Sequence, residues 1–161
     1  MTASLLLLLK GPMQSWGTES RYATRATSSL PSKSGVLGML AAAEGRRRDE
    51  DMADLAGLKF AVRVDQSGSL LRDYQTAQNW QKDPQASAKL ITRYFLSDAA
   101  FVAAIESEDR EQLENFAENL NRPVFPLYLG RRSCPAPPNV VLGVVEKPAV
   151  TALQELSLIH I

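Results

Sequence analysis

Cysteine and histidine are almost missing from this chain: each occurs once in 161 residues. The lone Cys134 permits no internal disulfide and fits a reducing cytoplasm. The lone His160 leaves Cys134 without a dependable partner for nucleophilic chemistry, and no Cys/His cluster has metal-ligand spacing. Net charge is lacking too, with 18 basic residues balanced by 18 acidic ones. No apolar run nears the roughly 20 residues that cross a bilayer. The opening MTASLLLLLK imitates a signal-peptide core, but it has neither a basic n-region nor a cleavage site. No P-loop or dinucleotide fingerprint is present, because GVLGMLAAAEG has neither the spacing nor the chemistry. What is left is an ordinary globular composition, 45% hydrophobic and 22% charged, read as one cytoplasmic domain with no metal, no cofactor and no membrane partner.

The zero net charge hides a polarity. Residues 1–48 carry seven lysines and arginines against Glu19 and Glu44, and the remainder is correspondingly acidic. Six acids fall between Glu106 and Glu118, where a solvated helix face is the expected reading. Such asymmetry points to a polyanion on one side and a solvated or protein-facing surface on the other.

Periodicity gives the element order. The five leucines closed by Lys10-Gly11-Pro12 read as a buried first strand. GPMQSWG reads as a glycine-bounded loop, and TESRYATRATSSLPSKSG as a polar stretch. Ser32 or Ser34 can cap a helix through GVLGMLAAAEG that stops at Gly45, its small residues letting it sit close on a sheet. RRRDEDMADLAGL reads as a basic turn and a short helix. Phe60, Val62 and Val64 alternate as in a strand. SLLRDYQTA and AKLITRYFL read as the arms of a protruding hairpin with QNWQKDPQAS at its tip. AAFVAAI follows as a buried strand. Next comes an amphipathic helix bearing Leu113, Phe116 and Leu120, ended by Pro123, and a late strand in PNVVLGVVE. This is the split βαβ pattern of an α+β, ferredoxin-like (RRM-like) βαββαβ domain with a protruding β-hairpin. The last six residues, LSLIHI, follow no cap logic and match a translated sequencing-library adaptor. Residues 156–161 are therefore expected to be a non-native tail on a C-terminally truncated domain of residues 1–155.

Several stretches carry anion-binding or base-binding chemistry. In YLGRRSCPAPP, Gly130 allows close backbone approach, and Arg131 and Arg132 offer planar forks for phosphate. By itself the motif reads equally as a surface turn with solvated arginines. Gln14 and Trp16 in GPMQSWG could bind and stack on a base, or Trp16 could anchor its loop to the core. Arg25 and Lys33 add cations nearby in sequence. The hairpin mixes Arg72, Tyr74, Gln75, Trp80, Lys82, Lys89 and Arg93, as single-strand binders do. Together these favour RNA over a small ligand. For cleavage the candidates would be Tyr74, Lys89 or Tyr94, none with a visible activating neighbour, so no catalytic residue is assigned.

Five blocks then carry a resemblance. LKGPMQSWG, PSKSGVLGMLAAAEG, LLRDYQTA, RYFLSDAAFVAAI and PLYLGRRSCP, in this order, resemble the CasD family, the Cascade subunit of subtype I-E CRISPR systems. The resemblance implies a ferredoxin-like RAMP domain whose thumb hairpin spans about 70–95. It implies a non-catalytic subunit that caps the 5′ handle of CRISPR RNA. The implied neighbours are the CasC backbone and the large subunit, with target DNA met only within the complex. It also implies that the Gly130-Arg131-Arg132 turn faces the RNA backbone. A relative from another subtype cleaves repeat RNA, so the alternative is a metal-independent endoribonuclease. Members of the family usually continue into further C-terminal strands that are missing from this sequence.

Overall fold

Five consecutive leucines in a strand can all be buried only if both faces are covered, and the first strand, β1 (Ala3–Lys10), is covered in this way. The computed structural model describes residues 1–17, 20–21 and 24–157. The side chain of Arg21 and residues 158–161, with His160 and most of the expected foreign tail, lie outside the described residues. After β1 come β2 (Met13–Gln14), β3 (Ser20–Arg21), β4 (Thr24–Arg25), α1 (Lys33–Glu44) and α2 (Ala53–Ala56). They are followed by β5 (Lys59–Gln66), β6 (Ser69–Ala77), β7 (Lys89–Ser97), β8 (Ala100–Ser107), α3 (Arg110–Asn121), β9 (Val141–Val145) and α4 (Ala149–Glu155).

The main sheet has the order β5-β8-β1-β9 with every neighbour antiparallel. Read along the chain, β1-α1-β5-β8-α3-β9 is the ferredoxin-like βαββαβ arrangement, with β6 and β7 inserted between β5 and β8. On one face Leu5, Leu7 and Leu9 share a core with Phe101, Ile105, Val36, Leu40, Leu113 and Phe116. On the other, Leu6 packs with Val102, Ala104, Ala152 and Leu153. Each leucine buried in this way contributes about 1.5–3 kcal/mol relative to an exposed one.

Local chemistry sets the helix ends. Ser32, not Ser34, caps α1: its Oγ accepts from the Gly35 N–H at 3.1 Å, and Gly45 closes the helix at φ 80°. The small-residue face divides in a way periodicity did not reveal. Ala41 and Ala43 are buried, whereas Gly38 is exposed and a Cβ there would meet nothing within 4 Å. Asp109 caps α3 through the Gln112 N–H at 3.1 Å.

Helix α4 was not foreseen, because seven residues after Pro148 offer no side-chain cap of their own. Distant side chains replace the cap. Glu106 Oε2 on β8 accepts from the Ala149 N–H at 2.8 Å, and Arg63 Nη1 on β5 donates to the carbonyls of Leu153 and Leu156 at 2.6 and 2.7 Å. Lys59, and after it the Ala149 N–H, hold the Glu106 carboxyl below its ordinary pKa. Its stabilisation is therefore complete above the ordinary carboxylate range and is lost as pH falls below that range through the depressed folded-state pKa. Glu106→Gln is expected to cost about 1 kcal/mol at neutral pH. In urea titrations that difference should shrink toward zero in acid; a difference independent of pH would remove the carboxylate from this role.

Strands β6 and β7 pair along their whole length, from Ser69↔Ser97 to Ala77↔Lys89, and form the expected thumb. The thumb is not a lone hairpin. The other edge of β7 pairs with β2 at Met13↔Ser97 and, in parallel, with β4 at Arg25↔Arg93. The stretches expected as a loop and a polar connection thus supply strand partners. The reason is that an unpaired β7 edge would leave a row of backbone donors and acceptors unsatisfied.

Candidate nucleic-acid interface

Two of the expected base contacts belong to the interior. Gln14 and Trp16 are both fully buried. The Gln14 amide donates from Nε2 to the carbonyls of Leu9 and Ala99 at 2.9 and 3.0 Å, and its Oε1 accepts from Trp16 Nε1 at 3.0 Å. Every polar group of the pair is engaged, so no base can hydrogen-bond to Gln14 or stack on Trp16. Gln14 pairs with Leu96 of the thumb while bonding the end of β1, so its amide ties the two sheets together. The reading of Trp16 as a core anchor is the correct one.

The Gly130-Arg131-Arg132 turn is built for packing before it is built for a ligand. Its ends are pinned by Leu129 N–H to Cys134 O at 2.6 Å and Cys134 N–H to Arg131 O at 2.9 Å. Gly130 has φ +89°, and a Cβ there would lie 1.7 Å from the Ser15 carbonyl oxygen. The close approach that needs glycine is therefore to the protein's own backbone beside β2. Cys134 is buried, and burial pushes its thiol pKa up, which keeps it neutral and unreactive.

Arg131 and Arg132 differ. Arg131 is half-buried, lies 5.3 Å over the Phe95 ring and donates from Nη2 to Ala26 O at 3.1 Å. Burial first, then the nearby charges of Arg93 and Arg25, depress its pKa. Arg132 is exposed. The structure thus brings Arg25, Arg93 and Arg131 together from three distant parts of the chain. Lys33 is engaged elsewhere, its Nζ donating to Ala56 O at 2.8 Å between α1 and α2.

The thumb sorts its residues by parity, since successive side chains alternate across a strand. Arg72 is registered with Tyr94 and Tyr74 with Thr92, so Arg72, Tyr74, Thr92 and Tyr94 share one face, with Leu70 and Leu90 beside them. Arg93, Phe95 and Asp73 share the opposite face. Tyr74 is 58% exposed and Trp80 at the tip 66%. One face of the thumb therefore offers solvent a cation, phenol rings and aliphatic surface, while the other carries the arginine group. Arg93 was one hairpin cation among several in the sequence; only its pairing with β4 singles it out. No group of three or more His, Cys, Asp or Glu residues that could hold a metal ion occurs among the described residues. Among them, too, no helix is long and apolar enough to cross a membrane.

The family described as CRISPR-associated protein (Cas_Cas5) matches residues 4–160. The chain is 34% identical, over 164 aligned residues, to the CRISPR system Cascade subunit CasD of Escherichia coli (strain K12), covering 91% of this chain and 73% of that protein. A solved chain from a CRISPR RNA-guided surveillance complex is similar with a TM-score of 0.80 at 34% identity, covering 94% of this chain and 66% of its own length. A further crystal structure, of a Cas protein, gives a TM-score of 0.69 at 43% identity, with 94% and 69% covered. The chain thus spans between 66% and 73% of the length of these relatives.

Proposed function

The chain belongs to the CRISPR-associated Cas5 family, and on that premise we propose that it is a non-catalytic RNA-binding subunit of a Cascade surveillance complex, capping the 5′ handle of the CRISPR RNA. The names of its relatives support this reading: one is a Cascade subunit, the other part of a complex guided by CRISPR RNA. The observation that carries the RNA contact is the thumb face, where exposed Arg72 and Tyr74 lie beside Tyr94. Cations neutralise backbone phosphates, and phenol rings stack on bases at about 1–3 kcal/mol each. Arg132 adds a solvent-facing charge from the turn, and Arg25 one from β4 of the second sheet. The remaining surface serves neighbouring subunits, the backbone and the large subunit, and target DNA is met only in their company. The site of action is the cytoplasm.

Holding RNA in this way needs charge and shape but no proton transfer. The reading tests directly by titrating handle RNA against salt. Arg72→Ala combined with Arg132→Ala should weaken binding and flatten the log–log salt slope by about 0.7 per lost phosphate contact. An unchanged slope would take both residues out of the interface. The endoribonuclease alternative is tested in the same tube, with repeat RNA as substrate. A discrete cut that disappears in Tyr74→Phe would overturn the non-catalytic assignment.

A further inference from the structure

Three arginines, Arg25, Arg93 and Arg131, are brought close enough on one face of the second sheet for their charges to repel, and among the described residues one carboxylate is registered with them. Arg25 and Arg93 are register partners across the parallel β4·β7 pair, so their side chains leave the same face. Phe95, two residues beyond Arg93, is on that face, and Arg131 lies over its ring at 5.3 Å. The carboxylate placed to answer them is Asp73, registered opposite Arg93. Its Oδ2 accepts from Gln75 Nε2 at 2.6 Å. Arg93 Nε is buried and has no hydrogen-bond partner among the described residues. Arg131 uses Nη2 on Ala26 O at 3.1 Å, while its Nη1 reaches Tyr94 O only at 3.5 Å, too long for a good bond.

A buried donor without a partner, among like charges, is expensive unless something satisfies it. Three forks arriving from three segments match a tetrahedral oxyanion, which accepts from several directions at once, better than a single planar carboxylate. We infer that Arg25, Arg93 and Arg131 form a discrete site for one phosphate group, whose binding clamps β4, the thumb and the Gly130 turn to one another. The physiological source, a backbone phosphate of RNA, rests on the function proposed above; the existence of the site does not. The phosphate acts as a bridge between elements far apart in sequence, so it should stabilise the folded chain as well as occupy it.

The test is thermal unfolding of the full chain in inorganic phosphate against sodium chloride of equal ionic strength. The melting temperature should rise with phosphate and saturate. A general salting effect would be linear and the same in every variant. Arg93→Gln should weaken the apparent phosphate affinity by about tenfold or more, as expected for one lost charge-assisted bond. Arg25→Ala, at an exposed position, should weaken it similarly and carries the test should Arg93→Gln not fold. Arg132→Ala should leave the phosphate response intact. A wild-type response that does not saturate, or one that survives unchanged in Arg25→Ala and in a folded Arg93→Gln, overturns the site even if handle RNA still binds. The second arm adds handle RNA: bound RNA should abolish the phosphate response. If phosphate saturates in an Arg25-dependent way but RNA does not displace it, the phosphate site stands and free phosphate is its ligand. In that case it is the RNA assignment of this face that fails.

Discussion

Gly130→Ala is expected to prevent the chain from reaching its native structure. At φ +89° an L side chain is already strained by about 1–2 kcal/mol. The new Cβ would also sit 1.7 Å from the Ser15 oxygen and 2.7 Å from its carbonyl carbon. Both are backbone atoms, so no rotamer change relieves the clash. Relief requires moving the turn away from Ser15, which breaks the Ser15 N–H to Leu129 O bond of 3.1 Å and uncovers fully buried Leu129 and Trp16. The combined cost is a large part of the roughly 5–15 kcal/mol that keeps a domain folded. Near-ultraviolet circular dichroism and urea unfolding measure it. A variant that unfolds cooperatively within about 1 kcal/mol of wild type, losing only RNA affinity, would restore the idea that this glycine serves the ligand.

Trp16→Ala carries the second largest expected effect. The indole is fully buried between Gly35 of α1 and Gly130: a Cβ on Gly35 would meet its ring at 2.8 Å and one on Gly130 at 3.4 Å. Removing a buried aromatic of this size costs about 3–5 kcal/mol. The loss also strips Gln14 Oε1 of the donor it has at 3.0 Å, with a further penalty of about 1–3 kcal/mol. Trp16→Phe separates the two terms, since it keeps most of the ring and removes the N–H. A base-stacking tryptophan would behave in the opposite way, with stability untouched and RNA binding weakened. Unfolding free energies beside RNA titrations on the same two variants decide between these readings.

The residues that sequence reasoning placed correctly are those whose signal is local. The leucine run, a serine cap at Ser32 or Ser34, the Gly45 stop and the Leu113-Phe116-Leu120 stripe each announce their element through neighbours a few positions away. The hairpin arms likewise flank a polar tip. The candidate interface was harder. Gln14, Trp16 and Gly130 look like ligand-binding residues because polar, aromatic and glycine-rich loops serve ligands and interiors alike. What separates the two uses is a partner far along the chain: Ala99 for Gln14, Gly35 for Trp16, Ser15 for Gly130.

Order and periodicity along the chain, by themselves, determined the βαββαβ scaffold and the inserted thumb, because both follow from short-range patterns of burial and turn chemistry; the family was legible through the resemblance of five sequence blocks. Tertiary contact decided the rest. It buried the glutamine and tryptophan, turned Arg72 and Arg93 to opposite faces, and set three arginines against one another across more than a hundred positions of sequence, from Arg25 to Arg131. Charge acts through space with no regard for sequence separation, so a cluster assembled from separate loops leaves no trace in any one of them.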